Sequence, residues 1–343
     1  VDSHFNSKPD RVCRCLHMSL WYFRPVQPQT STRIVILGKT GVGRSSLGNS
    51  ILWEDLFPVS HAAISESTCC TETKLVNNKR SFTLIESPGF FDTCEPEESL
   101  KPALITCITD CAPGPHAFLI VLKVEKYTVH EKEIVEKISQ YVSEEAFKFA
   151  SVVFTHGDQL AEGMTIEEFT SQNEDLADLV RKCGGRCHVV DNKYWETGQD
   201  EYRNNKLQVA RILETIEQII QANGNSYYTN ETLQTVEKEL EEEEDKLRQG
   251  ALVKRPLLEI RAYARKTVCE TIMCRLTGTA TGAILGALLG MLKCSIFSVG
   301  GLRTAAWAGA MRGAEMGYRV AGHADSTMGA VEKVFDTISN EVD

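Results

Sequence analysis

A glycine-rich stretch with the residue types for holding phosphate groups has the sequence GKTGVGRSS, residues 38–46. It follows an apolar run, RIVIL, and precedes a helical pattern, which is the strand–loop–helix context of the G-x-x-x-x-G-K-[ST] phosphate loop. Backbone N–H groups at the start of such a helix point at phosphate oxygens, and the helix dipole favours their charge. The candidate phosphate-binding residues are Gly38, Lys39, Thr40, Gly41, Val42, Gly43, Arg44, Ser45 and Ser46.

One position of this loop departs from the pattern, because Arg44 stands where lysine is usual. Arginine keeps the charge but is longer, planar and fork-shaped, so the exchange is not conservative. Three arrangements are open: Arg44 extends over the phosphates, it turns outward and leaves the backbone to hold a nucleotide weakly, or the pocket is dead. We expect binding, because the backbone donors do not depend on this side chain. Ser45 occupies the position whose hydroxyl ligates Mg²⁺.

A second motif, ESPGFFD, places Glu86 three residues before Gly89. It resembles the D-x-x-G element, in which the acid holds the Mg²⁺ shell through water and the glycine N–H meets the γ-phosphate. Glutamate replaces aspartate here, and Phe90 and Phe91 follow where a small GTPase carries its water-orienting glutamine. We therefore expect no fast intrinsic hydrolysis.

A third motif, FTHGDQL, supplies candidates for recognising a base: Thr155, His156 and Asp158. A carboxylate at 158 can accept both N1–H and N2–H of guanine, which adenine does not offer. A helix N-cap or turn residue is the alternative for Asp158, and a solvent-facing loop residue is the alternative for His156. The phosphate loop upstream favours the guanine interpretation. Asn192, in VVDNK, could close over the base.

Short apolar runs alternate with helical patterns from residue 32 onward, which predicts an α/β domain with a mostly parallel, doubly wound sheet. The predicted strands are 33–38, 74–77, 81–86, 116–124, 150–156 and 186–190. The predicted helices are 44–53, 96–110, 128–148, 165–183 and 205–222, and Thr128 and Glu131 predict a capping box. In such a fold the ligand lies at the carboxyl ends of the strands.

The predicted organisation has four parts: a poorly ordered leader (1–30), the α/β domain (31–225), a charged linker helix (226–250) and a basic, glycine-rich helical tail (251–343). The linker sequence TVEKELEEEEDKLRQ is interpreted as a solvated helix. A sustained coiled coil would need apolar residues at its a and d positions, and these are missing.

The tail repeats glycine every fourth residue, and the uncharged run from Leu276 to Leu292 is at the lower limit for a membrane span. Glycine at this spacing allows close approach of another helix or a bilayer. Three arrangements are open: contact with a membrane surface or with other copies of the tail, a true span, or a helical hairpin against the body. The repeated glycines are Gly278, Gly282, Gly286 and Gly290, then Gly309, Gly313 and Gly317.

Charge and cysteine usage limit the partners and the compartment. The net charge of −10 argues against nucleic acid, whereas the ten Lys/Arg and three Asp/Glu of residues 251–322 would favour anionic lipid headgroups. The 12 cysteines are scattered without a disulfide framework, and residues 1–30 lack the apolar core of a signal peptide. We expect a cytoplasmic protein, peripheral to an intracellular membrane if the tail binds lipid.

These motifs together resemble the immune-associated nucleotide-binding GTPases, the GIMAP family. GKTGVGRSSLGNSIL and ESPGFFDT resemble two of its guanine-nucleotide motifs, and APGPHAFLIVLKVEKYT (112–128) resembles its characteristic conserved box. FTHGDQL, CGGRCHVVDNK and NGNSYYTNE fit its later motifs. The likeness covers roughly residues 32–225.

The resemblance implies a P-loop G domain with a C-terminal helical extension, acting as a switch that binds GTP or GDP with Mg²⁺. It implies a homodimer or oligomer formed across the nucleotide face, often with C-terminal membrane attachment. It also suggests Thr68, in ESTCC, as the residue that senses γ-phosphate and Mg²⁺, beside Ser45 and Glu86 as metal-site residues. The family usually carries lysine at position 44 and aspartate at position 86, so guanine binding is a safer expectation than hydrolysis. A degenerate scaffold without useful nucleotide binding is the alternative.

Overall fold

The computed structural model describes residues 31–59, 70–76, 80–89, 97–195, 201–249, 255–276 and 281–291. Within them, six strands form one sheet in the order β2-β3-β1-β4-β5-β6. β3, β1, β4, β5 and β6 run parallel, and only β2 is antiparallel. The prediction of a mostly parallel sheet is confirmed. The strands are β1 Thr32–Leu37, β2 Cys70–Val76, β3 Arg80–Glu86, β4 Ala117–Lys123, β5 Ala150–Thr155 and β6 Cys187–Val189.

Seven α-helices accompany the sheet among the described residues up to 225. Two predicted helices are each divided in two. The first breaks at Val142, which is extended and bridges to Gly290, and Ser143 then caps a new turn. The second breaks where Asn173 becomes an N-cap, because its side chain accepts the Leu176 N–H. The helices are α1 Arg44–Leu52, α2 Glu97–Cys111, α3 Val129–Tyr141, α4 Glu144–Phe147, α5 Ile166–Ser171, α6 Glu174–Lys182 and α7 Asn205–Ala222.

The sheet is buried on both faces, as its continuous apolar strands predict. In β1, Ile34 and Ile36 contribute to one core with α1 and α7. The alternate residues, Val35 and Leu37, contribute to a second core with α2, α3 and α6. Successive side chains of a strand point to opposite faces, so one apolar strand supplies both layers. The doubly wound architecture is confirmed.

The charged helix exists as α8, Glu231–Gln249, but its interpretation as a solvated linker is wrong. Leu233, Val236 and Leu240 are fully buried. Their spacing places them on one face, which packs on α2 and on α9, Leu257–Arg275. An apolar stripe one side chain wide is enough to dock this acidic helix on the body.

Acidic α8 and basic α9 are joined by ion pairs. Arg261 donates to Glu244 at 2.7 Å and also to Glu237, and Arg275 donates to Glu239. Arg261 and Glu244 are largely buried, with side chains 20% and 10% exposed. Part of the basic charge that the sequence offered to lipid headgroups is therefore neutralised within the chain.

The part of the first glycine repeat that the structure describes packs against the body through α10, Thr281–Leu288. Asn230 joins this helix to α8: its amide nitrogen donates to the carbonyls of Ala287 and Leu288 at 2.8 and 3.1 Å, and its amide oxygen accepts the Leu233 N–H at 3.0 Å. Gly290 has a φ of 82° and lies so close to Tyr228 and Ser143 that a Cβ would not fit.

These contacts favour the hairpin arrangement for the described part of the tail. None of the described helices is both long and apolar enough to cross a bilayer. The second glycine repeat, and the leader, lie outside the described residues.

Candidate nucleotide-binding site

The candidate residues gather at one edge of the sheet. Because five strands are parallel, their carboxyl ends lie at a common edge. Gly38 follows β1, Glu86 ends β3, His156 follows β5 and Asn192 lies three residues beyond β6. The phosphate-loop candidates are thus brought beside the base-recognition candidates, as the fold requires.

The phosphate loop has a backbone that only glycine adopts readily at two points. Gly41 and Gly43 have φ values of 78° and 84°. Gly43 is the N-cap of α1 and has no side chain with which to satisfy the first N–H groups of the helix. The N–H groups at the start of α1 are therefore suited to donate to anionic oxygens.

Two of the three metal-site candidates, Ser45 and Glu86, are in contact. Ser45 Oγ donates to Glu86 Oε2 at 2.8 Å, and Glu86 is only 8% exposed. A hydroxyl and a carboxylate are oxygen ligands of the kind Mg²⁺ takes. Gly89 lies against Thr40 of the loop so closely that a Cβ would overlap the threonine hydroxyl. Both ends of the ESPG motif thus contact the phosphate loop.

Arg44 does not turn outward, since it is only 9% exposed. Its side chain passes Gly38, with Cδ 3.3 Å from where a Cβ on that glycine would lie. Nε is 3.5 Å from Glu86 Oε1, and Nη1 donates to the Ser87 carbonyl. Of the three arrangements, the outward one is excluded for this conformation. Arg44, which replaces the usual lysine, thus pairs with Glu86, which replaces the usual aspartate.

Lys39 connects the phosphate loop to the start of α3. Its ammonium group donates to Glu131 at 3.0 Å and is 3.6 Å from Glu125. Glu131 also accepts the Thr128 N–H, as the capping-box prediction requires. Burial raises the pKa of Glu131, but the hydrogen bonds from Thr128 and Lys39 outweigh it and lower the pKa to about 2. No pattern in the sequence predicted this contact between Lys39 and Glu131.

Thr155 needs a correction as a direct nucleotide contact. It is fully buried, and its hydroxyl donates to the Val42 carbonyl at 2.6 Å. The side chain therefore holds the phosphate loop against the end of β5.

Next to it, His156 is half-buried in a left-handed conformation, with Nδ1 3.0 Å from the Thr155 hydroxyl. Burial, and then the charge of Lys123, lower the pKa of His156 and favour the neutral imidazole. A neutral ring is suited to stacking on a base.

Asp158 lies in the turn after β5, partly exposed, with Gln159 donating to its carboxylate. Burial and a hydrogen bond with Asp191 raise its pKa. Gly157, in the same turn, packs against the Trp195 ring where a Cβ would not fit. Asp158 is therefore partly accessible to a ligand, while the contact between Gly157 and Trp195 fixes its loop.

Asn192 faces the first helix. Its amide oxygen accepts the Ser50 hydroxyl at 3.0 Å, and Nδ2 is 3.6 Å from where a Cβ on Gly43 would lie. The residue therefore sits beside the phosphate loop, and its closure over a base stays a prediction. Thr68, Phe90 and Phe91 lie outside the described residues.

The family profile named AIG1 matches residues 32–248, which includes every described site residue. The chain belongs to the AIG1 family. The resemblance drawn from the sequence motifs is confirmed, and the match extends through α8, beyond the predicted domain limit at 225. α8 is therefore part of the family's shared unit.

Curated relatives of this AIG1 chain carry nucleotide-related names. Immune-associated nucleotide-binding protein 8 of Arabidopsis thaliana is 31% identical over 226 residues, covering 64% of this chain and 62% of the relative. GTPase IMAP family member 8 of Homo sapiens is 28% identical over 198 residues, covering 58% of this chain and 29% of the relative. The alignments thus span less than two thirds of either relative.

Solved structures match part of the chain at lower identity. A crystal structure of Toc33 from Arabidopsis thaliana in complex with Mg²⁺ and GMPPNP is 18% identical, with a TM-score of 0.43, covering 56% of this chain and 85% of that one. A structure of Toc33 with GDP and Mg²⁺ is also 18% identical, with a TM-score of 0.44 and the same coverage.

Proposed function

We propose that this AIG1-family chain is a guanine-nucleotide switch that binds GTP and GDP with Mg²⁺. The observation that carries the proposal is the meeting of Ser45, Glu86 and Gly89 around a glycine loop whose helix start is uncapped. Two sequence motifs, the phosphate loop and ESPG, are separated by tens of residues and form one site with the polarity that a magnesium–phosphate group requires.

Each part of the nucleotide has a candidate partner. The loop N–H groups would hold the phosphates, Ser45 and Glu86 would hold the metal and its waters, and Asp158 would accept the guanine N–H groups. Bound Mg²⁺ would supply charge neutralisation between the phosphates. Arg44 keeps Glu86 in place before binding and, since its guanidinium is at the loop, can turn from the Ser87 carbonyl to a phosphate oxygen.

Hydrolysis by the isolated chain is proposed to be slow, because ESPGFF offers no glutamine to orient water. We propose that the GTP-bound form pairs with a second copy across the nucleotide face. An arginine supplied by the partner would stabilise the charge that develops during phosphoryl transfer, an effect worth about 10³- to 10⁵-fold in other GTPases.

A non-binding scaffold is the second candidate, and one observation favours it. Arg44, Glu86 and the Ser87 carbonyl already satisfy one another in this conformation. A nucleotide has to exchange these contacts for its own, and if the exchange is unfavourable the folded domain serves only as an interaction surface.

Titration of the full chain with fluorescent GDP and GTP, with and without Mg²⁺, separates the two candidates. Micromolar or tighter binding by the native sequence, strengthened by Mg²⁺, supports the switch. Binding seen only after Arg44→Lys contradicts the switch and supports the scaffold. Light scattering of the GTP-loaded and GDP-loaded chain then tests nucleotide-dependent pairing.

The compartment and a contact with lipid are the subject of a separate proposal. We propose a cytoplasmic protein whose second glycine repeat contacts an intracellular membrane surface. Flotation with anionic liposomes tests this: equal partitioning of the full chain and of a version ending at residue 291 contradicts it.

A further inference from the structure

The base side of the site consists of two loops that meet at one buried side chain. Residues 156–160 follow β5, residues 190–195 follow β6, and Asp191 lies between them with 2% exposure. Asp191 Oδ2 accepts the Asp158 N–H at 3.2 Å. Its Oδ1 accepts the Lys193 N–H at 2.9 Å and also the Tyr194 N–H. A single carboxylate thus fixes the backbone of both loops.

The electrostatics separate the two neighbouring aspartates. Burial raises the pKa of Asp191, but the Tyr194 N–H, a hydrogen bond with the Asp158 side chain and the N–H groups of Lys193 and Asp158 outweigh it and keep the pKa below its usual value. Burial and the nearby Asp191 raise the pKa of Asp158. Asp191 therefore stays ionised more readily than Asp158, and its carboxylate accepts hydrogen bonds from backbone N–H groups. This is usual for buried carboxylates that several N–H groups reach.

Further contacts fix Asp191 from its own side. Its backbone N–H donates to Asn205 Oδ1 at 3.2 Å, and the Asn205 N–H donates to the Trp195 carbonyl at 3.1 Å. The Trp195 ring then packs on Gly157, one residue before Asp158. The chain of contacts returns to the base-recognition turn, so a shift of Asp191 moves Asp158.

We propose that Asp191 is a positioning residue for base recognition, which acts through the Asp158 backbone to set the preference for a purine carrying a 2-amino group. This inference rests on the proposed nucleotide binding. It gives Asp191 no contact with the base. Its role is to hold the Asp158 carboxylate where N1–H and N2–H can both reach it, and such recognition depends on sub-ångström placement.

The affinities of GDP and inosine diphosphate (IDP) for the full chain test the proposal, because the two ligands differ only in the 2-amino group. We expect the native chain to prefer GDP by about tenfold, the usual worth of one hydrogen bond to a charged group. Asp191→Asn places an uncharged amide against the Asp158 N–H. We expect the ratio of the GDP affinity to the IDP affinity to fall towards one. Asp178→Asn, the same change at a surface ion pair on α6, is expected to keep the native ratio.

The ratio separates positioning from a structural role. If Asp191→Asn weakens GDP and IDP equally, or lowers the thermal midpoint until neither binds, Asp191 is structural and the inference is overturned. An unchanged ratio overturns it as well, while GDP binding by the native chain leaves the proposed function standing. A native chain that binds neither ligand overturns both.

Discussion

The two sides of the candidate site are held together by different kinds of contact. On the phosphate side, side-chain charges contact one another: Arg44 with Glu86, and Lys39 with Glu131. On the base side, one buried carboxylate, Asp191, is satisfied by backbone N–H groups. Side-chain pairs can exchange partners when a ligand arrives, whereas a loop pinned by its backbone can move only as a unit. The phosphate side is therefore built to rearrange and the base side to stay fixed.

The strongest test of the fixed side is Asp158→Asn. An amide cannot accept both guanine N–H groups, so GDP affinity is expected to fall by about 100-fold or more, with xanthosine diphosphate gaining where GDP loses. Competition against a fluorescent nucleotide measures both. Asp175→Asn, on α6, is the matched control. A variant that binds GDP normally would show that Asp158 is only a turn residue and would remove the base side from the comparison.

Ser45→Ala tests the metal on the phosphate side. Loss of the hydroxyl that contacts Glu86 is expected to weaken Mg²⁺-dependent GTP binding about tenfold, near the lower end for one hydrogen bond to a charged group. Binding in EDTA should change little. Ser139→Ala, on α3, controls for the loss of a hydroxyl. If affinity falls equally with and without Mg²⁺, Ser45 acts on the loop rather than on a metal.

A double-mutant cycle sharpens the claim that Arg44 and Glu86 are coupled. Arg44→Lys and Glu86→Asp each shorten one partner of a contact that is 3.5 Å long. We expect GTP affinity to change several-fold in each single variant, and the double variant to differ from the product of the two by roughly threefold or more. Multiplicative effects in the cycle would mean that the two exchanges are independent.

The smallest expected effect concerns Lys39 and Glu131. Glu131→Gln is expected to lower the free energy of unfolding by about 1 kcal/mol at pH 7, since the pair is partly exposed. The pKa of Glu131 is depressed in the folded chain, so the contribution is present above about pH 4.5 and is lost as the pH falls towards 2. Denaturant unfolding at pH 7 and at about pH 2 measures it. Glu133→Gln, on the exposed face of α3, is the matched control.

The sequence was sufficient where spacing along the chain decides the structure. The loop from Gly38 to Ser46, the alternation of strands and helices in an α/β domain and the Thr128 capping box all depend on neighbours a few residues apart. It was insufficient where partners are far apart. Arg44 meets Glu86, and Asp191 meets Asp158, only because the pairing of parallel strands brings their ends together.

The misinterpreted helix α8 carried a signal that its charge concealed. Leu233, Val236 and Leu240 have the i, i+3, i+7 spacing of a buried face, although glutamate dominates the segment. The number of acidic residues around them predicts a solvated helix. These residues predict ion pairs only when the position of basic α9 beside α8 is known. Composition described the segment, whereas position along the helix determined its packing.

The docking of α8, α9 and α10 on α2 has a practical consequence. Truncation at residue 225, where the nucleotide-binding pattern stops, would uncover apolar side chains of α2 that Val268, Ile272 and Leu285 otherwise help to shield. Such a fragment would be prone to aggregate, and the resulting loss of binding could be mistaken for a defect in ligand affinity. The shortest piece worth purifying for biochemistry ends beyond Met291.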